Sequence, residues 1–223
     1  MKKYIPLYRY LPADAAIKTI ESRCFRVSRI TELNDPFEWS FGFDGSRPER
    51  IAEDRRERDE MIQEFNEKWG VLCFCEVFKD PVMWSHYADR HRGLVIEIKA
   101  NVHEDAYHKV LYSRRPILQQ NWLDDRERHA QELKGTFKKF FRFKARSWKY
   151  EREWRVVISL NQCEFAGGMF LWRIPDNFVT RVIVGIRSPV SPDELRRFLN
   201  AQGFRGVEVV NAMESLKHYE IDC

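Results

Sequence analysis

The distribution of apolar residues predicts a protein dominated by short β-strands. Many segments either alternate apolar and polar residues or are continuously apolar over a few positions, which is the pattern of half-buried and fully buried strands. These segments are rich in β-branched and aromatic residues, which favour a pleated sheet. The predicted strands cover residues 4–11, 24–28, 71–77, 94–98, 108–113, 153–158, 169–174, 179–186, 207–210 and 218–221.

Helical periodicity is confined to fewer segments, which lie between the predicted strands. Asp80 followed by Pro81 is a strong helix start, since Asp caps a helix N-terminus and Pro fits its first turn. The predicted helices cover residues 12–23, 46–69, 81–89, 116–143 and 191–202. Strands outnumber helices and no regular βαβ repeat is present, so we predict an α+β fold with a mostly antiparallel mixed sheet and flanking helices. A chain of 223 residues is long enough for one sizeable core, and a single domain is expected over residues 1–223.

The segment Trp148–Ile158 combines a strand pattern with a pair of carboxylates. Glu151 and Glu153 are two residues apart, so both side chains would leave the same face of an extended segment. At the floor of a cleft such a pair needs compensation, which Arg152 and Arg155 could provide. The sequence leaves two interpretations open: an acidic catalytic pair, or an edge strand whose alternating charges prevent aggregation.

Candidate ligand-binding residues precede this segment. Arg9 lies inside the first predicted strand, where a buried guanidinium would require an anion, whereas an outward-facing one would be unremarkable. Trp84 and Tyr87 share one face of the helix that begins at Pro81, with Ser85 beside them. Aromatic residues at this spacing usually pack in a core, but at the end of a buried strand they could also form a ligand wall.

The strongest positive cluster of the chain comes just before the acidic segment. It could bind the phosphates of a nucleic acid, or it could be an ordinary solvated helix face. Its candidate nucleic-acid-binding residues are Lys138, Lys139, Arg142, Lys144 and Arg146.

Composition narrows these alternatives only in part. The 38 Lys and Arg residues against 34 Asp and Glu give a net charge of +4, which by itself indicates neither a nucleic-acid-binding nor a membrane protein. No apolar run has the length of a signal peptide or a membrane span, so a cytoplasmic location is expected. Cys73 and Cys75 lack a second ligand pair at zinc spacing, and we expect no metal.

The alternative function that would need a metal is a magnesium-dependent nuclease. It would use Glu151 and Glu153 with Asp35 or Glu38, and it stays open.

Five short motifs occur in order over nearly the whole chain. They are Leu7-Tyr8-Arg9-Tyr10, Leu33-Asn34-Asp35-Pro36-Phe37-Glu38, Cys73-Phe74-Cys75-Glu76, Met83-Trp84-Ser85-His86-Tyr87-Ala88 with Gly93, and Tyr150-Glu151-Arg152-Glu153-Trp154-Arg155. Together, in this order and spacing, they resemble a bacterial and phage family known as domain of unknown function 2971. This resemblance brings no established activity.

More distantly, the chain is similar to the NAD-dependent ADP-ribosyltransferases. The likeness rests on an Arg in the first strand, a Tyr-bearing helix after a strand, and a late strand that opens with Glu-x-Glu. It implies two packed sheets, NAD as substrate, and a role as a toxin or an anti-phage effector with a protein or nucleic acid as acceptor.

The same resemblance implies roles for individual residues. Glu153 would stabilise the cationic sugar, and Glu151 would orient the acceptor. Tyr87 would complete the catalytic set and stack on nicotinamide. Binding of NAD would fall to Arg9, on the pyrophosphate or the ribose, and to Tyr8, Tyr10, Trp84 and Ser85, with Trp84 joining Tyr87 in the stacking on nicotinamide.

Overall fold

The fold combines a large, mostly antiparallel sheet with smaller sheets and several helices, as the hydrophobic pattern predicts. A computed structural model describes residues 4–38, 41–42, 49, 51–101, 106–114, 117–118 and 142–223. The fold class is therefore α+β.

The elements are short, and strands outnumber helices in the described segments. The helices are α1 (Ala13–Ser22), α2 (Ile51–Lys68), α3 (Pro81–Tyr87) and α4 (Pro192–Ala201), with 3₁₀ segments at Ile30–Glu32, Arg146–Glu151 and Leu160–Gln162. The strands are β1 (Tyr4–Leu11), β2 (Cys24–Val27), β3 (Phe41–Gly42), β4 (Trp69–Cys75), β5 (Leu94–Asn101), β6 (Tyr107–Lys109), β7 (Leu111–Ser113), β8 (Ile117–Leu118), β9 (Phe143–Ala145), β10 (Glu153–Ser159), β11 (Glu164–Ala166), β12 (Met169–Arg173), β13 (Val179–Val184), β14 (Glu208–Asn211), β15 (Met213–Glu214) and β16 (Ile221–Asp222). Among the described helices, none has the length and apolar character needed to cross a membrane.

The main sheet contains seven of the described strands, in the spatial order β14, β13, β5, β1, β4, β10, β6. Neighbouring strands are antiparallel except β13 and β14, which are parallel. The acidic strand β10 pairs with β4 on one side and with β6 on the other. The interpretation of this segment as an edge strand is therefore wrong, because its backbone groups are engaged on both sides.

A second sheet, formed by β11, β12 and β2, packs over one face of the main sheet. Phe25 of β2 meets Phe74 of β4 edge to face, with ring centroids 5.9 Å apart. Leu7 and Ile98 are fully buried in the same apolar cluster. These residues form a core between the two sheets, whereas the opposite face of the main sheet carries two further apolar clusters, one around Trp84 and one around Met61, together with the buried Glu153 and Arg155 of β10.

Helix α3 forms as its sequence predicts. The Asp80 side chain accepts a hydrogen bond from the Val82 amide at 2.8 Å, and Pro81 occupies the first turn. The long helix predicted over residues 116–143 is contradicted at both ends, because Ile117 and Phe143 belong to the short strands β8 and β9. Residues 119–141 lie outside the described residues.

Close backbone packing at Gly93 holds the start of β5 against the end of β1. A Cβ atom at this position would lie 2.1 Å from the Leu11 carbonyl oxygen and 2.9 Å from Ala88 Cα. These are backbone atoms that cannot rotate away, so we expect Gly93→Ala to lower the free energy of unfolding by about 3 kcal/mol in chemical denaturation. Gly206→Ala is the control, since φ is +74° but nothing lies within 4 Å of its Cβ, and about 1 kcal/mol is expected there. Equal losses at the two positions would contradict this steric explanation.

Candidate functional site

A cleft opens where β1 and β4 separate. These two strands pair at a single register position, Tyr8 with Cys75. Beyond it lies a cavity of about 260 Å³. The residues of its lining that the sequence assigned to a catalytic or NAD-binding site are Tyr8, Arg9, Tyr10, Tyr87, Glu151 and Glu153. Other residues of the lining are Ser28, Asn34, Cys73, Cys75 and Lys144.

Glu151 and Glu153 converge, although not through an extended backbone as expected. Glu151 ends the 3₁₀ segment, Arg152 adopts a left-handed conformation with φ 43°, and Glu153 begins β10. Such a conformation costs a non-glycine residue about 1 kcal/mol or more. Both carboxylates meet the same ammonium group, since Lys144 Nζ lies 2.6 Å from Glu151 Oε2 and 3.2 Å from Glu153 Oε2. The chain therefore retains a strained turn that directs both acids to one cation.

Arg155 extends this cluster into the protein interior. Its side chain is fully buried, and its Nε donates to Glu153 Oε1 at 2.7 Å. Its Nη1 and Nη2 donate to the two carboxylate oxygens of Glu38 at 2.8 and 2.6 Å. This fork-shaped pairing is the geometry in which Arg binds carboxylates best. We refer to Glu38, Lys144, Glu151, Glu153 and Arg155 as the buried charge cluster.

The charges in this cluster do not cancel completely. Burial by itself raises the pKa of Glu153. The adjacent Arg155 and Lys144 lower it by more than burial raises it, so the pKa is about 2. Burial raises the pKa of Glu151, and Lys144 offsets this only in part. Lys144 has a raised pKa because Glu153 and Glu151 outweigh the effect of its burial. Three carboxylates therefore face two permanent cations, and the site favours one additional positive charge.

Tyr87 connects the buried charge cluster to the cleft. Its hydroxyl donates to Glu151 Oε1 and accepts from Asn34 Nδ2. Burial and the bond to Glu151 raise the pKa of Tyr87, so the phenol stays protonated. Asn34 and Glu38 both come from the Asn-Asp-Pro-Phe-Glu turn, which Asp35 closes by accepting from the Phe37 amide at 2.9 Å. This turn therefore reaches Tyr87 through Asn34 and Arg155 through Glu38.

Arg9 lines the same cleft, and no carboxylate of the described residues pairs with it. Its Nη2 donates to the Arg26 carbonyl oxygen at 2.8 Å, and its guanidinium lies 5.1 Å from the centre of the Phe25 ring and 5.9 Å from that of Phe74. Burial lowers the pKa of Arg9 to about 10. Its Nη1 is buried and has no hydrogen-bond partner in the described part of the chain. Arg9 is therefore a half-buried cation with one buried N–H, and within the described residues no carboxylate neutralises it.

The two cysteines of the cleft do not have the properties of nucleophiles. Burial, followed by the nearby Glu153, raises the pKa of Cys73. Burial raises the pKa of Cys75 to about 12. Reactive cysteines require a lowered pKa, because the thiolate is the nucleophile. The chemistry of the cleft must therefore rest on its carboxylates, its phenol and its cations.

The structure places Trp84 and Ser85 away from the cleft wall. Trp84 is fully buried, its Nε1 donates to the Phe78 carbonyl oxygen at 2.6 Å, and its ring meets Tyr10 edge to face. Ser85 is exposed on α3 and does not line the cavity. The prediction of a ligand wall is wrong for these two residues, because the apolar face of α3 packs into the core. Tyr87, one turn later, does reach the cleft.

Lys144, one of the five residues predicted to form a basic surface, is buried. Lys144 is 7% exposed and belongs to the buried charge cluster. Arg142 is half-buried and its Nε donates to the Lys109 carbonyl oxygen at 3.2 Å, whereas Arg146 is exposed. Lys138 and Lys139 lie outside the described residues. The assignment of Lys144 to a nucleic-acid surface is therefore wrong, because its ammonium group is already bound by two carboxylates.

The carboxylates proposed for a magnesium site are likewise engaged. Every carboxylate oxygen of Glu38, Glu151 and Glu153 already accepts a hydrogen bond from Tyr87, Lys144 or Arg155, so none is free to ligate a metal. Within the described ranges, no group of three or more His, Cys, Asp or Glu side chains has a geometry that could hold a metal ion. Nothing in the described site therefore favours the nuclease alternative.

Lys144 and Asn34 are the site residues that the sequence did not identify. Lys144 stands in a run of Lys and Arg residues and has no local feature that separates it from its neighbours. Asn34 stands in a turn motif whose polar residues are explained by local hydrogen bonding. The one signal in the sequence was Glu38, a charged residue at the end of that motif that the turn itself does not need.

Comparison with known proteins gives one result. Residues 83–156 match the model of a family described as "Protein of unknown function (DUF2971)". This match supports the resemblance to that family, and the matched range includes Tyr87, Lys144, Glu151, Glu153 and Arg155. Searches of the curated proteins and of the solved structures found no match.

Proposed function

We propose that this protein binds NAD in the cleft between β1 and β4 and transfers its ADP-ribose group to an acceptor. The observation that carries the proposal is that Arg9 lines the same cavity as Glu151 and Glu153, as a half-buried cation whose buried Nη1 has no hydrogen-bond partner in the described residues. A ligand with an anionic pyrophosphate next to a sugar that becomes cationic would satisfy both parts of this cleft.

The dimensions of the cavity suit one part of such a ligand. Ligand pockets usually enclose about 300–1,000 Å³, and this cavity encloses about 260 Å³. It would therefore hold the nicotinamide riboside end, with the pyrophosphate at Arg9 and the adenosine outside. Tyr8 and Tyr10 are also among the residues that line this cavity, although the Tyr10 hydroxyl donates to the Val77 carbonyl oxygen.

Each residue has a defined part in the proposed transfer. NAD supplies the bond between ribose C1′ and the nicotinamide nitrogen, and nicotinamide leaves with the bonding electron pair. Glu153, held ionised by Arg155 and Lys144, would face the positive charge that develops on the ribose. The acceptor would form the new bond to C1′ and pass its proton to the Tyr87 oxygen, while Tyr87 passes its own proton to Glu151.

The direct test is nicotinamide release from NAD, with water as the acceptor, together with the melting temperature in the presence of NAD. A ligand that binds only the native state must raise the melting temperature. If the wild-type protein neither releases nicotinamide nor is stabilised by NAD, the proposal is wrong. Stabilisation without release would leave NAD binding and remove the transfer reaction. The expected cytoplasmic location and the role as a toxin or anti-phage effector stay predictions from the sequence.

Tyr87→Phe is expected to lower nicotinamide release by about a hundredfold, because it removes the proton carrier between acceptor and Glu151. Binding of NAD should change little, since the ring remains. Tyr4→Phe is the matched control, because Tyr4 is exposed and lies outside the cavity lining. Activity close to that of the wild type in both variants would exclude the proton relay.

A further inference from the structure

A second, larger cavity lies away from the cleft, beside the C-terminal hairpin of β15 and β16. It encloses about 670 Å³. Three separate loops contribute to it: His91 follows α3, Arg187 follows β13, and Lys217, His218 and Tyr219 lie between β15 and β16. We refer to this cavity as the hairpin groove.

Backbone strain positions one wall of the hairpin groove. Asp89, Arg90 and His91 have φ values of 43°, 53° and 70° in succession, and each such residue costs about 1–2 kcal/mol. The His91 carbonyl oxygen accepts from the Arg187 amide at 3.0 Å, and the His91 ring stacks on Trp84 at an angle of 6°. Strain of this kind persists where the surrounding structure enforces it, often at functional sites. The loop therefore holds His91 and Arg187 together on a fixed base.

The opposite wall presents large side chains to solvent. Leu216 and Tyr219 are fully exposed at the tip of the hairpin, and Lys217 lies between them. The base of the hairpin is anchored to the body of the protein, since the Ile221 amide donates to the Lys79 carbonyl oxygen at 2.9 Å and Lys79 pairs with Asp222 at 2.7 Å. An anchored hairpin with an exposed aromatic tip provides a preorganised contact surface.

The chemistry of the hairpin groove combines cations, aromatic rings and carboxylates. Arg187 and Lys217 can neutralise phosphates, and the Tyr219 ring can stack on a base. Glu214 and Glu220 also line the groove. Carboxylates would repel a phosphate, but they can accept hydrogen bonds from the exocyclic amino groups of bases. A polymer that presents both phosphates and bases matches this mixture better than a simple anion does.

We propose that the hairpin groove binds single-stranded nucleic acid, with Arg187 and Lys217 on successive phosphates and Tyr219 stacked on a base. This inference does not depend on NAD chemistry, because none of these residues lines the cleft. It also uses residues other than the basic segment that the sequence singled out, Lys138 to Arg146.

The test is fluorescence anisotropy of a labelled single-stranded DNA of mixed sequence, titrated with the full-length protein over a series of salt concentrations. Tyr219→Ala is expected to weaken binding by about tenfold without changing the salt dependence, since stacking releases no counterions. Arg187→Glu combined with Lys217→Glu should weaken binding by more than about tenfold and make the slope of log K against log salt shallower by about 1.4.

A matched control reverses two exposed cations elsewhere, Lys18 on α1 and Arg197 on α4. The Lys18→Glu and Arg197→Glu pair changes the net charge equally, so binding close to that of the wild type is expected. An equal loss in this control would show that only net charge matters and would overturn the proposal. Absence of wild-type binding at protein concentrations up to about 10⁻⁴ M, the weak end of non-specific binding, would also overturn it. Melting curves confirm that each variant is folded.

Discussion

Replacing Arg155 by Met is expected to lower the free energy of unfolding by about 3–5 kcal/mol. The side chain is fully buried and neutralises two carboxylates at once, those of Glu38 and Glu153. Met fills much of the same volume, so packing changes little, but two buried carboxylates lose a charged partner. The measurement is urea denaturation at neutral pH, with the slope of the transition compared between variants to establish that both unfold in the same way.

The pH dependence of stability provides a second measure of the same effect. The pKa of Glu153 is lowered from 4.5 to about 2 in the folded protein. The ionised Glu153 therefore makes its full contribution to the free energy of unfolding above pH 4.5, and this contribution is lost as the pH falls towards 2. In Arg155→Met this loss should be smaller, because the pKa of Glu153 is no longer held down by the guanidinium.

Arg152→Met, at an exposed neighbouring position, should change stability by less than about 0.5 kcal/mol. Similar effects in the two variants would contradict the role assigned to the buried charge cluster.

Much of the fold was predictable because its signals are local. The apolar alternation of β10 and the continuous apolar run of β4 identify strands directly, and Asp80 with Pro81 fixes the start of α3. The position of β10 inside the sheet was not predictable from its charges. Glu153 and Arg155 look like an exposed pattern in the sequence, and their pairing with each other, with Glu38 and with Lys144 permits their burial.

The candidate site was predictable where a regular element carries an unusual residue. An Arg inside a strand and two acids at a strand start singled out Arg9, Glu151 and Glu153, the resemblance to the ADP-ribosyltransferases joined them in one site, and all three line one cavity. Lys144 was misassigned because a single buried Lys cannot be distinguished from a basic run by sequence alone. Trp84 was misassigned because the same helical face carries both core and cleft residues, and helical spacing does not separate them.

Arg9→Met is expected to abolish the effect of NAD on the melting temperature while leaving the protein at least as stable as the wild type. Removing one partner of a buried charged contact weakens binding by at least about 2 kcal/mol, and we expect a loss of about a hundredfold in affinity for NAD. Stability should not fall to a similar extent, because the guanidinium has no carboxylate partner in the described residues and its burial is unfavourable. Methionine retains the contact with the Phe25 and Phe74 rings and needs no hydrogen bond.

Two further variants separate the charge of Arg9 from its shape. Arg9→Lys keeps a cation but loses the fork of donors, so intermediate affinity for NAD is expected. Arg26→Met removes a neighbouring guanidinium that is more than half exposed and pairs with Glu32 at 3.2 Å, and both stability and NAD binding should stay close to wild-type values. If Arg9→Met retains full NAD binding, Arg9 is not the anion site. If it unfolds the protein, the guanidinium stabilises the fold through its contacts with Phe25, Phe74 and the Arg26 carbonyl oxygen, and its unpartnered N–H is no evidence for a ligand.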